Sequence, residues 1–497
     1  MPASIATLIF VAGIIGLFLL DRDPKVRTSK AMWIAVLWIS LACSRSAGQW
    51  IGTLQGVSIT DTASQETSYT EGSPMDRSIY TIMLLAGLIV LVGRRKKVIA
   101  LVKANWPIVV FVGYCALSVI WSDFPDVTFK RWIKSLGDLV MVLIVLTERE
   151  RYAAVKRVLA WTGFLLIPLS VLLIKFYPDL GRGYHPWTWT PYYTGVTTNK
   201  NELGRICLVL GLGFVWRILI ALRLGRGRVR DKQLLAHGTC LAMVFWLFWM
   251  ANSMTSLSCF VMASALMAVS SLRLVARRSW IVHAMVAAML LVSVSTLFLD
   301  MGSGVLQSMG RDPTLTGRTD IWKLVLGMSG NPFLGTGFES FWLGKRLDRM
   351  WAIYWWHPRE AHDGYIELYL ALGWVGITLF GYLLATRYRT VVKVFRTNAD
   401  EGRLRLAFFV VALAYNFAES AFGTLNPIWI FFLLATLTVP GGWTRKPHEG
   451  VPARERRPIS GGSEGENALS TVGHVPVMGF SSLSSCTSVL SICTSVS

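Results

Sequence analysis

The stretch IYTIMLLAGLIVLVGRRKK, residues 79–97, decides the fold class of this chain. Residues 79–93 are uncharged and almost wholly apolar, and a run of basic residues follows at once. A helix that crosses a bilayer needs about 20 predominantly apolar residues, and the cytoplasmic loops of membrane proteins are enriched in Lys and Arg. The stretch therefore predicts a membrane-spanning helix that ends on the cytoplasmic side.

The composition extends this interpretation to the whole chain. Of its 497 residues, 53% are hydrophobic and 16% are charged, whereas about 25% of residues are charged in ordinary soluble domains. The net charge of +20 comes largely from basic residues between apolar runs, so we interpret it as loop charge and expect no nucleic-acid partner. These figures exclude a soluble enzyme, a disordered chain and a disulfide scaffold, and they predict an all-α polytopic membrane protein.

Thirteen apolar runs are candidates for spanning helices, and we predict about 12–13 transmembrane helices. The runs are 4–20, 31–43, 79–93, 106–121, 132–147, 155–176, 202–222, 234–251, 255–272, 280–299, 366–386, 404–418 and 427–440.

Basic residues concentrate in alternate loops between these runs, and the alternation predicts the orientation. The basic loops are 21–30, 94–103, 148–157, 223–232, 273–278, 387–405 and 443–457. We place these loops in the cytoplasm. Residues 1–440 are then one membrane domain with periplasmic loops at 177–201 and 301–365, and residues 441–497 are a cytoplasmic tail that we expect to be disordered.

The two long exterior loops are rich in aromatic residues. Loop 177–201 carries Trp187, Trp189 and Tyr192, and loop 301–365 carries Trp342. Tryptophan and tyrosine form belts at membrane interfaces, but their flat faces also stack on the C–H faces of sugar rings. The residues alone leave both interpretations open, an interfacial belt and a sugar platform.

The second exterior loop, 301–365, predicts a small cap on the membrane domain. It contains a predicted short helix at 317–329, which Gly330-Asn331-Pro332 ends. The apolar face predicted for this helix consists of Ile321, Trp322, Val325 and Leu326.

Three exterior cations break the positive-inside trend. They are Arg182, Lys200 and Arg318. Solvation or phospholipid contact accounts for each of them taken alone. They also suit an anionic group such as a pyrophosphate, because Arg forks onto phosphate oxygens and Lys acts as a point charge.

Further ionisable residues lie where exterior loops meet spans. His357 and His362 precede a span and are equal candidates on their chemistry alone. Glu419 lies at the outer end of a span, where a carboxylate is either functional or paired with an exterior arginine. No HExxH motif or other spacing of two histidines and a carboxylate is present, so we predict no metal.

Several of these residues fall in segments that together resemble the O-antigen ligase and polymerase family, in particular its exopolysaccharide-production branch. The segments, in the family's order, are WSDFPDVTFKRW at 121–132, TGVTTNKNELGR at 194–205, GRTDIW and GNPFLGTGFESF within 317–341, AHDGYIELYLALGWVG at 361–376 and NFAES at 416–420. The similarity spans roughly residues 106–440. Asp363 departs from the family, which often has Asn after the histidine.

The resemblance implies a GT-C-like glycosyltransferase in the bacterial inner membrane with its active site on the periplasmic side. It implies glycans linked to undecaprenyl pyrophosphate as donor, a glycan acceptor, and no nucleotide sugar, metal or other cofactor. Membrane lipids and other polysaccharide-assembly proteins are the expected partners. His362 and Arg318 occupy the family's functional positions and are the expected catalytic residues. The expected substrate-binding residues are Arg182, Lys200, Glu419, Trp187, Trp189, Tyr192 and Trp342.

Polymerisation of lipid-linked repeats into exopolysaccharide by inverting glycosyl transfer is the function we expect. One alternative is an O-antigen ligase that transfers glycan to lipid A core, since the motifs do not separate the two. The other is a flippase or transporter of lipid-linked oligosaccharide, which needs polar groups near the membrane midplane. The span interiors are nearly free of charge apart from Asp138 and Arg217, so polar residues outside the membrane favour exterior chemistry.

Overall fold

The computed structural model describes residues 1–23, 26–55, 73–184, 189–272, 279–298 and 316–440. The elements within them are α1 (Ala3–Leu20), α2 (Met32–Ala42), α3 (Ala47–Leu54), α4 (Pro74–Gly93), α5 (Arg95–Ala104), α6 (Trp106–Leu117), a 3₁₀ turn (Ser118–Ile120), α7 (Pro125–Leu146), α8 (Arg151–Phe176), α9 (Pro178–Gly181), β1 (Arg182–Tyr184), β2 (Pro191–Tyr193), α10 (Lys200–Ala221), α11 (Arg228–Ala251), α12 (Met254–Val269), α13 (Ser279–Phe298), α14 (Thr316–Gly327), α15 (Lys345–Ile353), α16 (Gly364–Thr397), α17 (Ala399–Tyr415) and α18 (Pro427–Thr436).

Each of the thirteen apolar runs falls on one of these helices. Within the described residues, six helices are long and apolar enough to cross a membrane unaided, namely α1, α4, α8, α10, α11 and α16, and α5 with α6 adds a seventh if the bent pair is one span. Four shorter apolar helices lie in α2, α12, α13 and α18. The chain is an all-α multi-pass membrane protein, as predicted, while the number of crossings stays a prediction.

Helices α8 and α10 lie mostly inside the bundle, whereas α1 and α4 expose most of their apolar side chains. Helix α10 packs against α11 and α12, and α17 packs against α16, α12 and α18. One continuous apolar core runs through these contacts. Lipid would cover the exposed apolar faces of the outer helices, as it does in any spanning bundle.

Residues 94–103, predicted as a loop, form helix α5 instead. The chain then turns by 89° into α6. Asn105 stabilises the break, because its side chain donates to the Leu101 carbonyl at 2.7 Å and accepts the Thr438 N–H at 2.7 Å. In a continuous helix the Leu101 carbonyl would accept the backbone N–H of Asn105. At the bend it accepts the Asn105 side chain instead.

The described residues of five loops predicted to be cytoplasmic lie together at one end of the bundle, namely those of 21–30, 94–103, 148–157, 223–232 and 387–405. Contacts between them are Arg94–Glu148, Arg157–Val26 and Arg223–Asp400. Arg151 also donates to the carbonyl of Pro440, the last residue of the apolar run 427–440. These contacts agree with the alternation of charge along the chain, whereas the side of the membrane that this end faces stays a prediction.

A second, smaller core lies under the predicted cap. It consists of Ile321, Trp322, Val325, Phe341, Trp342, Leu347, Met350, Ala361 and Leu370. The helix predicted at 317–329 is observed at Thr316–Gly327. Its apolar face was predicted correctly for the first three residues, but Leu326 is 43% exposed and lies outside this core.

The segment at 332–337 fits into a break in helix α16. Gly373 interrupts that helix with φ of 62°. The N–H groups of Trp374 and Val375 beyond the break donate to the carbonyls of Pro332 and Phe333 at 2.9 and 3.1 Å. Before the break, the Leu370 carbonyl accepts the Thr336 N–H at 3.0 Å. The loop thus satisfies backbone groups that the break leaves without helical partners and fixes the first turns of α16 against the cap.

Four sequence predictions fall outside the described residues. They concern the tail at 441–497, the basic loop at 273–278, residues 301–315 of the predicted cap, and Trp187.

Candidate active site

Two loops distant in sequence meet at the end of the bundle opposite the basic loops. One is the segment before α16, and the other follows α17. The Gly364 N–H donates to the Asn416 carbonyl at 2.8 Å. A Cβ atom on Gly364 would lie 1.9 Å from Oδ1 of Asn416, so only glycine permits this approach. The contact joins the segments AHDGY and NFAES at the base of the site.

His362 lies between two carboxylates. Its Nδ1 is 3.2 Å from Oε1 of Glu360 and 3.2 Å from Oε2 of Glu419. Among the described residues, its Nε2 has no hydrogen-bond partner, and 23% of the side chain is exposed. The backbone of His362 has φ of 54°, a conformation that is uncommon for a residue with a side chain and often found at functional sites.

The charge state of His362 follows from these neighbours. Burial by itself lowers the pKa, but the hydrogen bonds to Glu360 and Glu419 and their negative charges outweigh it and raise the pKa of His362 to about 10. The ring is therefore an imidazolium at neutral pH in the substrate-free site, and each carboxylate is held by a positive partner.

Glu419 is buried and is the centre of the charge cluster. Nη2 of Arg318 lies 3.8 Å from its Oε1, and Nδ2 of Asn201 lies 3.5 Å from the same oxygen. Burial acts to raise the pKa of Glu419, but the hydrogen bond and charge of His362, with the charges of Arg318 and Arg205, hold it below its usual value. Arg318 also donates through Nη1 to the Ala418 carbonyl at 2.8 Å.

Asp363 caps the N-terminus of helix α16. Its Oδ1 accepts the N–H groups of Tyr365 and Ile366 at 2.8 and 2.9 Å, which is an N-cap. An asparagine offers the same acceptor oxygen with similar capping strength. The departure from Asn at this position therefore leaves the local structure intact.

The part of the chain that contains most of this cluster is similar to a known protein family. Residues 238–381 match the model of the O-antigen ligase family. This part of the chain is similar to O-antigen ligases. The match contains Arg318, Glu360 and His362, while Glu419 lies beyond its end.

One curated relative extends the similarity beyond this part of the chain. The chain is 23% identical over 366 residues to the exopolysaccharide production protein ExoQ of Rhizobium meliloti (strain 1021). The alignment covers 71% of this chain and 81% of the relative. The resemblance drawn from the sequence motifs is confirmed.

The charge cluster around Glu419 includes residues that the sequence analysis did not name as site residues. They are Glu360, Asn201, Arg205 and Asn416. Asn201 and Arg205 lie in the quoted TGVTTNKNELGR segment and Asn416 in NFAES, so the motifs were a usable signal for them. Glu360 carried no signal beyond its proximity to His362 along the chain.

Not every predicted cation joins this cluster. Arg182 donates through Nε and Nη2 to the Ile174 carbonyl at 3.0 and 2.9 Å, and its guanidinium lies 5.7 Å from the centre of the Tyr193 ring. Lys200 is exposed at the first residue of α10, next to Asn201. Lys200 is thus next to a cluster residue in the sequence, and its role stays a prediction.

The predicted aromatic residues have different surroundings. Trp189 is 76% exposed and lies beside a two-stranded antiparallel hairpin of β1 and β2, in which Tyr192 is paired with Gly183. Trp342 is only 5% exposed, and its indole N–H donates to both carboxylate oxygens of Glu367 at 2.8 and 2.9 Å. The prediction that Trp342 offers a face to a glycan therefore needs correction, because its ring packs in the cap core.

The charge cluster around Glu419 also contains three side chains of the types that bind metal ions. One ligand atom from each of Glu360, His362 and Glu419 lies within 4.8 Å of the others. A histidine must lose its second proton to bind a metal, whereas both carboxylates here favour the protonated ring. The imidazolium thus takes the place that a cation would occupy between the two carboxylates.

Proposed function

We propose that the protein polymerises oligosaccharide repeats linked to undecaprenyl pyrophosphate into exopolysaccharide, by inverting glycosyl transfer on the periplasmic face of the inner membrane. The observation that carries the proposal is the cluster of His362, Glu419 and Arg318 at one end of the bundle, in and next to the part of the chain that is similar to O-antigen ligases. The similarity to ExoQ supports a role in polysaccharide assembly.

The reaction needs a base for the acceptor hydroxyl and positive charge for the leaving group. The hydroxyl oxygen of the acceptor sugar bonds to the anomeric carbon of the donor as the bond to the pyrophosphate oxygen breaks, and the configuration inverts. The hydroxyl proton passes to Nε2 of His362 in the unprotonated ring, which keeps its other proton on Nδ1 between the two carboxylates. Glu360 and Glu419 stabilise the positive charge that this transfer creates on the ring. General-base assistance of this kind contributes roughly 10²–10⁴-fold.

Arg318 supplies the charge for the departing pyrophosphate. Its Nη1 is fixed by the Ala418 carbonyl, so the guanidinium is oriented before substrate arrives. A preorganised cation stabilises charge that develops in the transition state without reorganisation during the reaction. Arg205 adds a second positive charge, which also lowers the pKa of Glu419. In this proposal side chains, and not a metal, neutralise the leaving group.

The transporter alternative has little support from Asp138, the carboxylate that the sequence predicts inside a span. Asp138 is fully buried. It accepts the Trp38 indole N–H at 2.8 Å and the Leu425 backbone N–H at 2.9 Å. One oxygen thus holds Trp38 of α2 and the other holds the loop that follows Glu419, which is a packing role.

The test is transfer by the purified full chain in lipid nanodiscs, with lipid-pyrophosphate-linked repeats as substrate. We expect products that increase by whole repeats, and no products with His362→Ala. A second reaction includes lipid A core as acceptor. A single transfer to that acceptor without chain growth would show a ligase and not a polymerase. If neither reaction occurs, but the protein in proteoliposomes moves the lipid-linked donor across the bilayer, the transporter alternative would be favoured.

A further inference from the structure

A tryptophan lies beside the reactive histidine and is exposed. The ring centroids of Trp356 and His362 are 6.0 Å apart, and the planes differ by 30°. Trp356 is 42% exposed. The sequence predicts that aromatic residues of both exterior loops hold the glycan, but the substrate-binding residues named from it do not include Trp356.

The loop that presents Trp356 is held in place by stacked rings. The Trp351 ring packs on the imidazole of His357, with centroids 4.9 Å apart and planes 21° apart. The Arg359 guanidinium lies 5.5 Å from the same Trp351 ring, and the Trp351 indole N–H donates to the Pro358 carbonyl at 3.1 Å. His357 is therefore a packing residue of this loop, and the position of Trp356 is fixed by its neighbours.

Glu360 adds hydrogen-bonding capacity to the same face. Its side chain is 38% exposed while its Oε1 contacts Nδ1 of His362. A carboxylate offers two oxygens with four lone-pair directions, so Glu360 can contact the histidine and still accept hydroxyl donors from a ligand. A flat apolar ring beside such a carboxylate matches a pyranose, which has one apolar C–H face and a rim of hydroxyl groups.

We propose that Trp356 and Glu360 form the subsite for the acceptor sugar, the unit that carries the attacking hydroxyl. This inference rests on the function proposed above. In an inverting displacement, the attacking and leaving groups lie on opposite faces of the anomeric carbon. Arg318 marks the leaving side and His362 the attacking side. The aromatic ring that touches His362 therefore borders the acceptor and not the lipid pyrophosphate.

The experiment uses the purified full chain in nanodiscs and varies donor and acceptor separately, with a lipid-free oligosaccharide repeat as acceptor. Trp356→Ala should raise the acceptor KM on the order of tenfold, the scale of losing one aromatic stacking contact, and leave the donor KM unchanged. Trp356→Phe keeps a flat ring and should restore most of the affinity. Trp356→Leu keeps apolar bulk without a flat ring and should resemble Trp356→Ala.

Trp355→Ala is the matched control, because Trp355 is the adjacent tryptophan and is 63% exposed. It should leave the acceptor KM near that of the unmodified protein. Equal effects of Trp355→Ala and Trp356→Ala, or a change in donor KM alone, would overturn the subsite and indicate interfacial anchoring. An active His362→Ala protein would instead refute the proposed function, so the two failures are distinguishable.

Discussion

Nδ1 of His362 lies 3.2 Å from Oε2 of Glu419, although the two residues are 57 positions apart in the chain. The contact joins the loop before α16 to the loop after α17. It engages one ring nitrogen and directs the other away from the carboxylates. The carboxylate thus orients the ring through Nδ1 and leaves Nε2 open to a substrate, which is the geometry that a positioned base requires.

The first prediction separates the two histidines. His362→Ala should abolish polymer formation and leave membrane insertion and protein level near normal, because the side chain is partly exposed and stabilises no apolar core. His357→Ala should be milder, because His357 packs on Trp351. Polymer length on gels and protein level in membranes measure both effects. A null phenotype for His357→Ala with active His362→Ala would show that the wrong histidine was assigned.

The second prediction concerns pH. A base must be unprotonated, and the pKa of His362 is raised to about 10. Below that pH, kcat/KM should therefore rise by about tenfold per pH unit. Glu360→Gln removes one of the contributions that raise this pKa, so the rising limb should shift to lower pH. A profile that is flat from pH 6 to 9 would indicate that the imidazolium acts as a fixed cation and not as a base.

The third prediction tests the contact between the two loops. Gly364→Ala places a Cβ atom against Oδ1 of Asn416, so the loops must separate. A displacement of about 1 Å at a catalytic group costs on the order of 10²-fold in rate. Gly381→Ala is the matched control in the same helix, since a Cβ there meets nothing within 4 Å. Activity assays at equal protein level compare the two, and equal activity would contradict the coupling.

The membrane fold could be predicted because a spanning helix is a local property of the sequence. Each apolar run is long and uncharged enough to identify by itself, and each falls on a helix. Helix α5 was missed because its basic residues were interpreted as those of a loop. Its apolar side consists of Val98, Ile99, Leu101 and Val102. Its 89° angle to α6 depends on Asn105 and the distant Thr438, and no local pattern contains that contact.

The candidate site could be predicted only in part. Arg318 and His362 were chosen through their motifs, and Glu419 through its place at the edge of a span. The contacts between them could not be predicted, since the Arg318–Ala418 hydrogen bond spans 100 positions. Trp342 was chosen as an exterior aromatic, but the Glu367 carboxylate at i+25 takes its N–H inside the cap. Local composition does not reveal whether an exterior tryptophan meets water or a core.

The fourth prediction is the topology. Reporter fusions after Lys97, Lys232 and Arg396 should report the cytoplasm, and fusions near Thr190 and Gly344 should report the periplasm. The reason is the concentration of Lys and Arg in alternate loops. A cytoplasmic signal at Thr190 or Gly344 would place the cluster of His362 on the wrong side for a periplasmic reaction.

The last prediction concerns the leaving pyrophosphate. As the anomeric bond breaks, negative charge gathers on two phosphates, and Arg318 is an oriented arginine that pairs with Glu419 in the cluster. Arg318→Ala should reduce the rate on the order of 10²-fold or more, the scale of deleting one preorganised donor. Arg318→Lys should restore only part of it, because Lys keeps the charge and loses the fork.

Chelators distinguish this electrostatic account from a metal mechanism. EDTA should leave the rate unchanged, because in our proposal Nδ1 of His362 keeps its proton between Glu360 and Glu419, and a metal at that place would need this nitrogen unprotonated. Lys323→Ala, in the same short helix as Arg318, is the control for loss of a nearby positive charge and should have little effect. Inactivation by EDTA that Mg²⁺ or Mn²⁺ reverses, together with full activity of Arg318→Ala, would transfer the role of Arg318 to a metal held by Glu360, His362 and Glu419.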